Sequence, residues 1–183
     1  RSVSLTLSAA TAVGANTGNS VMDELSEQTA QLETVLLSSA GQTFKDYVAG
    51  VIDDVDAAIA AGDPSSSAVK AARQAAGYAL QLAQDLQEDS QYGLWADTPF
   101  VVYEAPAVSP ELRQPSTLPK DGTVSDQLRV VSAQNEFEAA SFILAPLADA
   151  SSVTFQIGDL TGDQGTIPAG SIDMHVVKTW YQG

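Results

Sequence analysis

The sequence contains no cysteine and one histidine, and it is poor in basic residues. Without cysteine, neither a disulfide framework nor a thiolate metal site can form. Any catalytic triad or histidine-ligated metal centre would have to use His175. The 8 basic residues stand against 23 acidic ones, which gives a formal charge of -15 that repels nucleic-acid phosphates and anionic lipids. Nucleic acid and membrane surfaces are therefore not expected partners.

The chain also lacks a long apolar run, although 44% of its 183 residues are hydrophobic. Its apolar stretches are too short to cross a bilayer, so no membrane span is expected. Residues 1–18 combine a basic start with short apolar and small residues, which is typical of an N-terminal tail or the remnant of an export signal. An edge strand is the alternative, because Val3, Leu5 and Leu7 alternate with Ser and Thr.

Residues 19–92 are predicted to form an antiparallel helical hairpin. Apolar residues recur at helical spacing through its first half, which indicates one buried stripe. They are Val21, Leu25, Leu32, Leu36, Phe44, Val48, Ile52, Val55 and Ile59. Around residues 38–43 the helix is expected to kink or break, because Gly41 is unfavourable inside a helix and Thr43 can cap a new start.

The sequence Gly62-Asp63-Pro64 is predicted to separate the two helices. Glycine suits the left-handed position after a helix, aspartate can cap the next helix, and proline fits a first turn. The second helix is predicted over residues 64–88. Its buried side is rich in alanine, so the two helices can approach closely.

Residues 93–183 are predicted to form an antiparallel β-sandwich, which makes the fold class α+β. Prolines at 106, 110, 115 and 119 mark a long loop. Strands are predicted at residues 101–103, 127–132, 138–146, 153–157 and 172–181. Short strands with no helices between them favour an antiparallel arrangement over a parallel sheet.

This sandwich is expected to be incomplete at its C-terminal end. A sandwich of this kind has about seven strands or more, and the sequence predicts fewer. The final apolar strand, with Val176 and Trp180, has no following hairpin partner. Because a bare apolar edge promotes aggregation, we expect downstream residues or a second chain to complete the sheet.

Three sequence segments resemble the N-terminal β-sandwich of glycoside hydrolase family 123. The first is Ala133-Gln-Asn-Glu-Phe-Glu138 followed by an aliphatic run, and the others are Ile157-Gly-Asp-Leu-Thr-Gly162 and Ile167-Pro-Ala-Gly-Ser-Ile172. The resemblance covers roughly residues 94 to 183 and excludes the helices. It implies a non-catalytic N-terminal portion of a secreted or cell-surface enzyme, whose glycan substrate is cleaved in a downstream (β/α)₈ barrel.

No catalytic residue is predicted within this chain. Glycosidase chemistry uses two carboxylates facing one glycosidic bond, or one carboxylate that assists a substrate acetamido group. The resemblance places Glu136 and Glu138 in the accessory sandwich instead. Asn135 is expected to accommodate a turn or bulge, and Glu136 to hold a neighbouring loop by hydrogen bonds. No phosphate loop, dinucleotide fingerprint or nucleophile elbow occurs, so no cofactor is expected.

Two sets of residues are weaker candidates for binding. Four aromatic residues could stack on sugar rings or lie in the core: Trp95, Tyr103, Trp180 and Tyr181. Asp159 and Asp163 stand among glycines and could ligate calcium, although a polar hairpin loop also explains them.

Two other functions fit the same sequence. The acidic helices could be the working part of an adhesion, surface-layer or assembly module that uses the sandwich as a spacer. The chain could also be an independent carbohydrate-binding module. That function requires an exposed aromatic platform, which burial of Trp95 and Trp180 would remove.

Overall fold

The computed structural model describes residues 18–88, 91–114 and 116–178, which fold into helices followed by small antiparallel sheets. The α+β class is therefore confirmed. In chain order the elements are α1 (Gly18–Leu36), α2 (Gln42–Ala61), α3 (Ser67–Glu88), β1 (Phe100–Ala105), β2 (Thr123–Val124), β3 (Ser141–Pro146), β4 (Leu160–Gly162), β5 (Gly165–Ile167) and a 3₁₀ helix (Ala169–Ser171).

The first predicted helix is two helices, α1 and α2, separated by residues 37–41. The Ser38 hydroxyl donates to the Val35 carbonyl at 2.6 Å and accepts the Ala40 N–H at 3.1 Å, which closes the connection. Gly41 immediately precedes α2 in an extended conformation, and Thr43 lies inside the helix. The break is thus confirmed and the Thr43 cap is wrong, because the helix starts one residue after Gly41.

Most of the helical stripe predicted from the sequence lies in the core. Each of the three helices contacts the other two, so three packed helices stand where a two-helix hairpin was predicted. The stripe residues Leu25, Leu32, Phe44, Val48 and Val55 are buried. From α3, the core receives the expected alanines, Ala72, Ala76 and Ala83, which permit close helix approach.

The connection between α2 and α3 confirms the left-handed glycine, whereas the predicted Asp63 cap and Pro64 first turn are wrong because α3 starts later. Gly62 is left-handed at φ 72°, and its N–H donates to the Ile59 carbonyl at 3.0 Å. Asp63 accepts the backbone N–H and the hydroxyl of Ser65, so it closes a turn. Because the Ser66 hydroxyl accepts the Val69 N–H at 3.2 Å, α3 begins at Ser67 rather than at Pro64.

The main sheet has the antiparallel strand order β2-β1-β3 and packs against the helices with one face. That face carries Val101, Tyr103 and Ala145, all buried. The Tyr103 hydroxyl donates to Asp85 of α3 at 2.7 Å, which ties the sheet to the helices. β4 and β5 form a separate two-stranded hairpin.

Where a β-sandwich was predicted, the described residues form this three-stranded sheet and a two-stranded hairpin, so the sandwich is not confirmed. β3 begins at Ser141 rather than at 138, and residues 127–132, 153–157 and 172–178 form no strand ladder. A ladder needs a hydrogen-bonded neighbour, and the Arg129 N–H instead donates to the Glu104 carboxylate at 3.2 Å. The interpretation of residues 1–17 and the end of the last predicted strand lie outside the described residues.

Candidate functional site

The aromatic candidates for sugar binding that the structure describes are buried. Trp95 is 6% exposed, and Tyr103 is fully buried with its hydroxyl bonded to Asp85. Stacking on a sugar ring requires an accessible aromatic face, and neither ring presents one here. Trp180 and Tyr181 lie outside the described residues.

The two metal candidates lie at opposite ends of the β4–β5 hairpin. Pairing of Leu160 with Ile167 places Asp159 at the base, whereas Asp163 lies in the turn after Gly162. The Asp159 carboxylate accepts the Ala169 N–H at 2.8 Å, so it clamps the base of the hairpin. Among the described residues, no group of three or more Asp, Glu, His or Cys side chains is placed to hold a metal ion.

The residues around Asn135 and Glu136 form a closed turn. Asn135 has φ 63°, a left-handed conformation that asparagine tolerates better than most residues. The Glu136 carboxylate accepts the Ala133 N–H at 2.8 Å, and the Glu136 N–H donates to the Ala133 carbonyl at 3.2 Å. The turn expected at Asn135 is confirmed, while Glu136 closes that same turn instead of holding a neighbouring loop.

An ionic cluster that sequence reasoning missed holds the proline-rich loop between β1 and β2. The Asp121 carboxylate accepts a hydrogen bond from the Ser109 hydroxyl at 2.5 Å and pairs with Arg113 at 2.5 Å. The hydrogen bond from Ser109, helped by Arg113, lowers the pKa of Asp121. A carboxylate with a lowered pKa is a weak base, so this arrangement suits bracing of the loop better than activation of the serine.

Two clefts on the described surface do not gather reactive groups. One cleft of about 310 Å³ lies beside Glu104, Ala105, Asp121 and Ser141. Two of its polar side chains already have partners, since the Ser141 hydroxyl donates to the Ala105 carbonyl and the Glu104 carboxylate accepts the Arg129 N–H. A second, shallow cleft of about 480 Å³ lies along α2 and is rimmed by acidic residues. His175 is exposed and far along the chain from both sets of lining residues.

The feature best suited to binding is the outer edge of β3. The Leu147 N–H donates to the Pro99 carbonyl, and the Ser125 N–H donates to the Val102 carbonyl. Together with the strand register, these bonds show that odd-numbered residues of β3 direct their backbone groups at β1. Phe142 and Leu144 therefore direct theirs away from the sheet, and among the described residues no strand pairs with them.

Apolar side chains are exposed around the same part of the chain. They include Leu128, Val130, Val131, Phe137, Val153, Phe155, Leu160, Ile167, Met174, Val176 and Val177. In the described part of the chain, by contrast, the buried hydrophobic residues all lie between Leu25 and Leu147. Residues 148–178 thus carry apolar surface but contribute no buried residue to the core.

Neither the search for membrane-spanning helices nor the comparison with known proteins assigns a function to the chain. None of the helices that the structure describes is long and apolar enough to cross a bilayer. Comparison of the chain with protein-family models, curated proteins and solved structures finds no match.

Proposed function

We propose that this chain is the non-catalytic N-terminal portion of a secreted or cell-surface glycoside hydrolase, where it packs against a downstream catalytic barrel. The observation that carries the proposal is the exposed apolar surface of residues 128–178. A glycan would be the substrate of the parent enzyme and would be cleaved outside these residues.

The exposed apolar surface is concentrated in one part of the sequence. Val131 is 78% exposed, Phe137 96% and Val177 86%, whereas Leu32 and Val48 of the helical stripe are fully buried. Soluble monomers expose isolated apolar residues, but large apolar surfaces mark contact sites. This concentration of exposed apolar residues supports the proposal that another protein surface covers residues 128–178.

The face of the main sheet opposite the helices also carries apolar side chains that are only partly buried. Val102 and Phe142 are half-buried on the side opposite the helices, and the ring of Phe155 meets that of Phe142 edge-on, with centroids 5.7 Å apart. A sandwich buries both inner sheet faces, whereas here a single segment partly covers the second face. An additional layer would remove these apolar groups from water.

The resemblance to glycoside hydrolase family 123 suggests that the additional layer is a catalytic barrel. In the resembled proteins, a sandwich of this kind accompanies a catalytic (β/α)₈ barrel. The use of Glu136 to close its own turn agrees with a structural role for the Asn-Glu segment. Packing against a barrel would bury the exposed apolar residues without requiring any reactive group from this chain.

The proposal is tested by comparing the 183-residue chain with a polypeptide extended along its natural reading frame. We expect the chain alone to turn over no member of an aryl-glycoside panel. We expect the extended polypeptide to be active and to protect amides of residues 128–178 from hydrogen exchange. Turnover by the chain alone that is lost in Glu136→Gln would overturn the proposal, as would a reading frame that contains no barrel.

A further inference from the structure

We propose that the outer edge of β3 is a strand-addition site, which binds an extended apolar strand of neutral or basic charge from a partner domain other than a second copy of this chain. The inference deepens the proposed function and rests on it for the existence of a partner. It identifies where the partner adds and what chemistry it carries.

The backbone of β3 is arranged for such an addition. The register with β1 leaves the N–H groups of Phe142 and Leu144, and their carbonyls, pointing outward. Among the described residues, no other strand accepts or donates along this edge. An added strand would satisfy these groups through the same ladder that joins β1 to β3.

The end of the edge also defines the length of the addition. The backbone of Pro146, like that of Leu144, faces away from β1, but proline has no N–H. The ladder would therefore lose a donor at this position, and the productive pairing centres on Phe142 and Leu144. Proline at the end of an edge strand is also a common means of limiting uncontrolled pairing.

The side chains on both faces of β3 require an apolar occupant. Ile143 and Ala145 face the helices and pack on the core, whereas Phe142 and Leu144 lie on the opposite face and are half-buried. A neighbouring strand meets its partner residues on both faces. An occupant with apolar side chains on both faces would cover the apolar side chains of β3 on both faces of the sheet. A fully polar strand would leave them exposed to water.

Charge selects against a second copy of this chain. Residues 136–149, which contain β3, include Glu136, Glu138 and Asp149 but no lysine or arginine. The whole chain has a formal charge of -15, so two copies brought together at this edge repel each other. A neutral strand has no such penalty, and a basic strand is in addition attracted by the acidic flanks.

The test uses a synthetic peptide with a Val-Ile-Val-Ile-Val centre flanked by lysine pairs, because this centre presents apolar side chains on both faces of a strand. The full chain should bind it, and amide hydrogen exchange should slow at Phe142 and Leu144. A peptide with glutamate pairs in place of the lysines should bind more weakly. The same lysine peptide methylated on alternate backbone nitrogens should not form the ladder.

A proline substitution separates this edge from the fold of the sheet. Leu144→Pro removes an outward N–H that β1 does not use, so the chain should fold while its affinity for the lysine peptide falls about tenfold or more. Ile143→Pro is the matched control, because it removes an N–H that pairs with β1 and should therefore destabilise the sheet.

Three results would overturn the inference. The first is protection of the Phe142 and Leu144 amides in the chain alone, and the second is equal peptide binding by the wild type and a folded Leu144→Pro variant. The third is a concentration-dependent dimer in sedimentation that protects these amides, since a second copy would then be the occupant. None of these results measures glycoside turnover, so failure here is distinguishable from failure of the accessory function.

Discussion

Two tyrosines in the helical part have phenol groups that the fold keeps neutral. Tyr47 on α2 and Tyr78 on α3 are both partly buried beside the core. Burial raises the pKa of Tyr47 from 10.0 to about 12. Burial also raises the pKa of Tyr78, and the charge of Tyr47 adds to that effect. Both phenols therefore remain protonated in the folded chain at neutral pH, because a phenolate would lose hydration without gaining a cationic partner.

At alkaline pH we expect these tyrosines to weaken the fold. Between the unfolded pKa of 10.0 and the folded pKa of about 12, the unfolded chain releases the Tyr47 proton while the folded chain retains it. The free energy of unfolding should be unaffected by this group below the lower value and fall as pH rises through the interval. Urea unfolding across this range measures the fall, which should be smaller in Tyr47→Phe. An identical pH dependence in the variant would contradict the assignment.

The roles of individual residues were predictable where they depend on local backbone chemistry. The sequence predicts a left-handed position at Gly62 and a turn or bulge at Asn135, and both residues have positive φ. The partner of Tyr103 could not be predicted in this way. Asp85 lies on a different element, and only the packing of the sheet on α3 brings the two side chains together. Burial of Trp95, which decides between core and sugar platform, has the same long-range origin.

Among the elements, the start of α2 depends on a close approach from another part of the chain. The Thr43 N–H donates to the Ala96 carbonyl at 3.2 Å. A β-carbon added at Gly41 would lie 2.2 Å from the Ala96 α-carbon, a separation that requires backbone movement. Glycine is therefore needed at this junction for space, rather than only as a helix breaker.

We expect Gly41→Ala to destabilise the chain and Gly50→Ala to stabilise it. The first substitution forces α2 away from Ala96 and should cost about 1–3 kcal/mol, as overpacking of a close contact does. Gly50 is exposed inside α2 with nothing within 4 Å of an added β-carbon, so alanine there should gain about 0.5–1 kcal/mol. Chemical denaturation of both variants measures the difference. Equal stability of the two would show that the junction is not tightly packed.

Helices and strands differed in how well the sequence predicted them. The helical stripe is encoded within each segment, so the burial of Leu32 and Val48 followed from spacing alone. A strand becomes part of a sheet only through a neighbour, which spacing cannot supply. Residues 127–132 and 153–157 have strand-like composition yet remain unpaired, whereas β1 and β3 pair along their full lengths.

At the scale of the whole molecule, most of the exposed large apolar residues lie in residues 128–178, a segment from which the described core includes Ala145 and Leu147. The helices and the inner face of the sheet hold the buried residues, and the described residues after Leu147 hold none. Folding of the helices and the main sheet should therefore be nearly independent of the exposed apolar residues within residues 128–178. If those residues serve a partner, their removal should change association but not stability.

Replacing exposed valines by threonine tests this division, because the two side chains have nearly the same shape. Val131 and Val177 are 78% and 86% exposed, so Val131→Thr with Val177→Thr should change the free energy of unfolding by less than about 0.5 kcal/mol. The double variant should also bind less of a hydrophobic dye and self-associate less in sedimentation. Val101→Thr is the matched control: Val101 is fully buried on β1, and a hydroxyl placed there without a partner should cost about 1–3 kcal/mol. If the exposed pair cost as much as Val101→Thr, residues 128–178 would be packed on the core in solution. The apolar surface would then belong to the fold of this chain, and no partner would be needed to cover it.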